Sequence, residues 1–544
     1  MSIHDRDSEA EIAERQMFLE KATRSIAELK PDVSSLADIV VFLEVLGYTN
    51  KQASEHGFQD LADLARNVQE FSGYYDAEGD LPLRLTIPIR SLGRRTAEAF
   101  TVAYPWVASY AVLLIFGVSL FLSEILPLDA TTAFVIGIYS GLVISGGMSS
   151  FGRLFGFYDS QLNRSESRRI LKRYYALLLI MLLAMTSIMY TAGHVQGIPV
   201  HLINISVASV WALSVLMSSF MIIYSKRKIM VIVYTYSIGL ATLLSFYFLS
   251  ANLLPDVTTR YFYSLAIAVV VMSIPSVYYH YSVFEQKNSS KRADNPTFYS
   301  PVSAIKNTLK SRFRVQMREI LPYFIYGMLF FCILFGDRIV SWVYSPIHFV
   351  GGVHFFMLFN TEYHSGADSA LVALFPSLII QYVMLAPLHD ELYNLSQSSS
   401  ISETAKIQHF LSVRYKKMIA TTVVSTIAVG GTMIYFGPLI MAVLHGSLLS
   451  TQIYDVAVIS NIFMAVFGGN AMFLTFMNKI RNVCVIGAVG VLFVGGIGYF
   501  LGSFGFQYIV FAYLGESILL AIASFAIVRK GLDEAASIHL SRFV

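Results

Sequence analysis

Pro322–Tyr344 reads PYFIYGMLFFCILFGDRIVSWVY. It is apolar over a length that crosses a bilayer, yet it carries Asp337 and Arg338 side by side. Charges inside a membrane helix are costly, so they mark a pathway, a partner or an interface. The stretch also opens the second of two sets of six apolar segments. The chain therefore reads as an all-α polytopic membrane protein of about 12 transmembrane helices, arranged as two six-helix lobes.

Composition supports that class. Hydrophobic residues make up 55% of the 544 and charged residues only 14%, more apolar surface than a soluble domain of this size needs to bury. The formal charge of +3 hides an asymmetry, because residues 1–95 hold about 17 acidic and 11 basic residues and the rest about 19 and 28. Cys332 and Cys484 both fall in expected spans, which leaves no disulfide framework. The opening MSIHDRDSEAEIAERQ lacks an apolar core, so the first apolar span itself acts as the insertion signal.

Residues 1–95 read as a small cytosolic helical region and linker. Ile12, Met17, Phe18, Ile26 and Leu29 form a ragged stripe before Pro31. Ser34–Leu46 is a second helix stopped by Gly47, and Leu61, Leu64, Ala65 and Val68 share a later face. No basic recognition helix is present, so nucleic acid is not an expected partner; a docking or structural bundle is. Residues 96–284 read as the first lobe, 285–318 as a cytosolic hinge, 319–530 as the second lobe and 531–544 as a cytosolic tail.

Spans are expected near 100–123, 131–157, 174–195, 201–224, 229–251, 260–284, 319–343, 367–388, 417–443, 452–478, 482–502 and 506–528. The connections test them. RSESRRILKR, SKRK, 285–318, 389–417, NKIRN and the VRK tail are rich in Lys or Arg, whereas the alternate loops hold one such residue, Arg260. The positive-inside rule then expects both termini in the cytosol. In the hinge, Ile305, Leu309, Phe313 and Met317 recur at helical spacing among cations, as on a helix lying on anionic lipid. Pro105-Trp106 and Phe116-Gly117 in span 1 echo Pro322-Tyr323 and Phe335-Gly336 in span 7, which suits two lobes related by an axis along the membrane normal.

These motifs resemble a family. AYPW (103–106), YSGLVISGGMSSFGRLFGFYDSQLN (139–163), the Asp-Arg span 7 and LFPSLIIQYVMLAPLHDELY with its acidic exit at Asp390 and Glu391 are similar to exopolysaccharide exporters of the PelG type. The last two spans resemble the ending common to the MOP flippase superfamily, which holds lipid-linked oligosaccharide flippases and MATE exporters. The resemblance covers residues 100–530. It departs at Tyr104, where the family opens with Gly, at Gly147, where the family's second span has Pro, and in the additional first 95 residues. It implies a bacterial inner-membrane exporter of an exopolysaccharide or lipid-linked glycan, working beside a cytosolic glycosyltransferase or other export subunits. A MATE-like cation-coupled antiporter of small amphipathic solutes and a non-transporting scaffold for a polysaccharide synthase are the competing readings.

Candidate residues follow from depth. At 1.5 Å per residue, Arg338 lies about 27 Å beyond Ile320, near one rim of the hydrocarbon, where it could snorkel beside a belt of Trp342 and Tyr344. Adjacent helical residues point about 100° apart, so Asp337 and Arg338 each need a partner elsewhere, at an interface or in a cavity. Glu516 sits near mid-membrane and is the coupling candidate, although a helix-packing hydrogen bond would use it equally; an Arg338–Glu516 contact is conceivable. Arg153 has a planar fork suited to phosphate or carboxylate, and also reads as an ordinary boundary arginine. His280 and Gln381 are candidate cavity residues. His194, His201, His348, His354 and His364 are scattered without ligand spacing, so no metal is expected. No GK[ST] phosphate loop and no hydrolase or transferase constellation occurs, so no enzyme activity and no cofactor are expected.

Overall fold

The computed structural model describes residues 36–73, 126–160, 164–285, 313–385 and 404–533, apart from single positions within them, together with scattered positions in 15–26, 96–112 and 387–391. The chain divides into two compact units, Met1–Ser91 with His389–Ile407, and Leu92–Leu388 with Gln408–Val544.

The smaller unit contains α1 (Leu36–Val45), α2 (Asn50–Glu55) and α3 (Leu61–Gly73). Gly47, at φ +89°, takes the left-handed turn after α1 that a side chain would resist. Thr49 and Gln52 form a capping box at α2, and the Asp60 carboxylate accepts from the Asp63 N–H to cap α3. Leu61, Leu64, Ala65 and Val68 are all buried, with Ile39, Leu43 and Phe58. Ile12, Leu29 and the 74–95 linker lie outside the described residues.

In the larger unit the first lobe holds α4 (Leu128–Met148), α5 (Ser150–Ser160), α6 (Arg164–Val195), α7 (Val200–Ser225), α8 (Ile229–Leu249) and α9 (Val257–Glu285). The second holds α10 (Phe313–Val343), α11 (Thr361–Ala370), α12 (Phe375–Leu385), α13 (Thr404–Tyr435), α14 (Gly437–Val443), α15 (Leu448–Phe476), α16 (Ile480–Gly502) and α17 (Ile509–Asp533). Among the described residues, 11 helices are long and apolar enough to cross a membrane, matching the expected spans 2 to 12. Span 1, with Pro105-Trp106 and Phe116-Gly117, lies mostly outside the described residues, as do Ile305 and Leu309 of the hinge. Phe313 and Met317 belong to α10 itself rather than to a separate interfacial helix.

Two boundaries moved for physical reasons. The span expected at 417–443 begins at Thr404 and stops at Tyr435, because Pro438 cannot donate into a continuing helix and instead occupies the first turn of α14. Span 8 begins six residues early at Thr361, where the Asn360 side chain accepts from the Tyr363 N–H as an N-cap. The loop before it contains a short hairpin, β1 (Phe349–Val350) with β2 (Val353–His354), which alternation over so few residues did not signal.

The lobes meet along α4 and α10, which pack against each other, while α4 also packs on α7 and α10 on α16. Gly146 and Gly327 let the two backbones touch: a Cβ on either would overlap the other's carbonyl oxygen. One apolar core runs through the junction, from Phe134, Tyr139 and Leu213 to Phe335, Trp342, Leu358 and Phe359.

Candidate functional site

Ser225 of the SKRK loop and Lys479 and Arg481 of the NKIRN loop mark one end of the helices of the larger unit, called here the basic face, and each of these two loops borders a cavity. One, of about 690 Å³, is lined by Ser145, Ser149, Arg153, Tyr174 and Tyr224 of the first lobe and by Phe331 and Tyr382 of the second. The other, of about 980 Å³, lies between Arg153, Phe157 and Tyr158 of α5, Arg318, Glu319 and Tyr323 of α10, and Lys479 and Arg481 at the start of α16. Four cations against one carboxylate make it suited to an anionic group.

Arg153 lines both cavities. Its guanidinium stacks over the Tyr323 ring at 4.2 Å, and Tyr323 donates to Asn478 Oδ1 at 3.3 Å. Asn478 holds φ 61° in the turn between α15 and α16, a conformation Asn tolerates better than most residues. Close by, Gln316 of α10 accepts from Arg173 at 2.6 Å and contacts the Tyr158 hydroxyl at 3.2 Å, tying the lobes together on this side.

The charged pair of α10 sits toward the opposite face and is enclosed. Arg338 and Asp337 are both 0% exposed, so Arg338 does not snorkel to headgroups. Contrary to expectation the neighbours pair directly: Arg338 Nη1 donates to Asp337 Oδ1 at 2.9 Å, because the long side chain folds back across the 100° offset. The same guanidinium donates to Asp368 Oδ1 at 2.6 Å and to the carbonyls of Leu334 at 3.0 Å and Ala367 at 2.7 Å. Tyr363 donates to Asp337 Oδ2 at 2.8 Å, and His364 Nδ1 lies 2.8 Å from Asp368 Oδ2. Trp342 donates to His364 Nε2 at 2.7 Å, which places the indole in the core rather than in an interfacial belt. Behind the cluster, Tyr513 of α17 donates to Asn461 Oδ1, and Asn461 donates to the Ala370 carbonyl.

The other candidates separate. Glu516 is fully buried near this cluster, but Arg338 is spent on the two aspartates, and neither Glu516 oxygen has a hydrogen-bond partner among the described residues. Gln381 is buried against Gly468 and Gly469 and donates to the Ala465 carbonyl at 2.8 Å, so it packs helices, and its neighbour Tyr382 faces the cavity. His280 shares a hydrogen bond with Tyr175 of α6 and lines neither cavity. Asp368 and His364 were missed as site residues. Their signal is the i, i+4 spacing on a helix capped by Asn360, inside a stretch polar enough to read as loop.

No protein-family model and no curated protein matches the chain. Solved structures do resemble it. MATE in the bent conformation has a TM-score of 0.55 at 12% identity over 84% of this chain and 97% of that one. An outward-facing multidrug resistance MATE family transporter of the MOP superfamily has 0.55 at 12% over 83% and 98%. The eukaryotic MATE transporter AtDTX14 has 0.53 at 12% over 82% and 98%. The chain is thus a multi-pass membrane protein with the two-lobed fold of MATE transporters.

Proposed function

We propose that the chain exports a carbohydrate polymer or a lipid-linked glycan across a bacterial inner membrane, by alternating access between its two lobes, as a carrier rather than an enzyme. The observation that carries this is the pair of cavities that meet at Arg153 on the basic face. By the positive-inside rule that face is expected to be cytosolic, with both termini on the same side of the membrane. A hydroxyl- and aromatic-lined cavity suits sugar, and the cationic cavity beside it suits the phosphate of a lipid carrier or an acidic glycan. The PelG-type motifs of spans 1, 2, 7 and 8 support the same substrate class.

On this reading Arg153 belongs to the substrate path, Asp337 and Arg338 hold the second lobe together, Gln381 and His280 support helices beside the path, and Glu516 is the coupling candidate. Membrane lipid and a cytosolic glycosyltransferase are the expected partners. The test is Arg153→Ala in cells that make the polymer. Export should fall while intracellular polymer synthesis continues; undiminished export would remove Arg153, and with it this reading of the cavities.

The fold shared with MATE transporters favours a second reading, cation-coupled antiport of small amphipathic solutes. Drug susceptibility of cells with and without the protein separates the two. Altered susceptibility with unchanged polymer export would favour the antiporter.

A further inference from the structure

His364 sits where the two lobes are joined on the face opposite the cavities. Its ring is 3% exposed and stacks on Phe359 at 4.1 Å and on Trp342 at 5.9 Å. Both flanking residues reach the first lobe. The Phe359 N–H donates to Thr132 Oγ1 of α4 at 3.0 Å, and Trp342 stacks on Tyr139 of α4 at 5.5 Å with 13° between the planes.

The hydrogen bonds fix the protonation state. An indole N–H only donates, so His364 Nε2, 2.7 Å from Trp342 Nε1, must accept and carries no proton. The single ring proton is then on Nδ1 and is donated to Asp368 Oδ2. A second proton would set N–H against N–H, break the Trp342 bond and turn the indole off Tyr139. Asp337 and Asp368 both face the one guanidinium of Arg338, and Asp368 also faces His364. Among the described residues, the other groups facing the ring and its partners are Tyr363 on α11, Tyr139 on α4, and Tyr513 and Glu516 on α17.

We propose that His364 is a proton-binding site whose occupation releases the latch between the lobes. The role in export rests on the alternating-access reading above: protons arriving from the outer side would open that side. The latch itself does not depend on the substrate.

The test uses the full-length protein in nanodiscs with Trp106→Phe and Trp211→Phe, leaving Trp342 as the reporter. Labels at the exposed positions Val200 and Leu448, one at the latch end of each lobe, report separation, with Cys332→Ser and Cys484→Ser. Between about pH 8 and 5, the range in which histidine titrates, Trp342 emission should shift and the labels should move apart. His364→Gln offers Trp342 an acceptor and Asp368 a donor without titrating, so both changes should be lost while the pH 8 emission stays as in the parent. Parent signals flat across that range, or a His364→Gln protein that still titrates, would overturn the latch. Intact titration with no polymer export would leave the latch standing and remove the export reading instead.

Discussion

Arg338, fully buried itself, divides its guanidinium between two buried carboxylates and two carbonyls. Such a group stabilises little when complete, but removing one partner leaves a buried charge uncompensated at about 3–5 kcal/mol. Arg338→Met should therefore lower the thermal midpoint of the purified protein sharply, and an unchanged midpoint would contradict the network. Glu516→Gln asks a different question of the same lobe. Its oxygens bond nothing among the described residues, so the isosteric amide should leave the midpoint close to that of the parent. If Glu516 couples ion movement to transport, transport in vesicles should fall by roughly 5–150-fold, the range of a 1–3 kcal/mol coupling. Equal transport by the variant would confine Glu516 to packing.

The α4–α10 seam depends on glycine more than on any charged group. Gly327 has the Gly146 backbone where a side chain would stand, so Gly327→Leu must part the helices or bend one. Overpacking of this kind costs about 1–3 kcal/mol, and a fall in midpoint with increased protease cleavage should report it. A variant as stable as the parent would mean that the seam is looser than the contact implies. The spans were legible in the sequence because bilayer thickness and loop charge act on every residue of a helix at once. The latch was not. Asp368 and Arg338 are 30 residues apart, and nothing in either segment names the other. His364 read as one of several scattered outer histidines until α11 placed it over Asp368. Arg153 was recognised by type and boundary position, but its stacking on Tyr323, 170 residues away, is a property of the seam.

The whole molecule sets two kinds of joint at opposite ends of that seam. At the basic face, Gln316 bridges Tyr158 and Arg173 beside open cavities; at the other, aromatic rings and an uncharged hydrogen bond enclose His364. On the proposed alternating-access reading, one end opens while the other holds, and joints of different chemistry allow the two to respond to different signals. The smaller unit stands outside this scheme, with its own core and an excess of acidic residues over residues 1–95. If it only recruits a synthase, the membrane body should work without it. Deleting residues 1–90 should then leave the His364-dependent titration of Trp342 and vesicle transport intact, while export in cells falls with loss of the synthase from the membrane. If the protein is a scaffold and no carrier, vesicle transport should be absent before and after the deletion. Loss of transport and titration together would instead make the acidic unit part of the lobe movement, and would contradict the docking alternative for it.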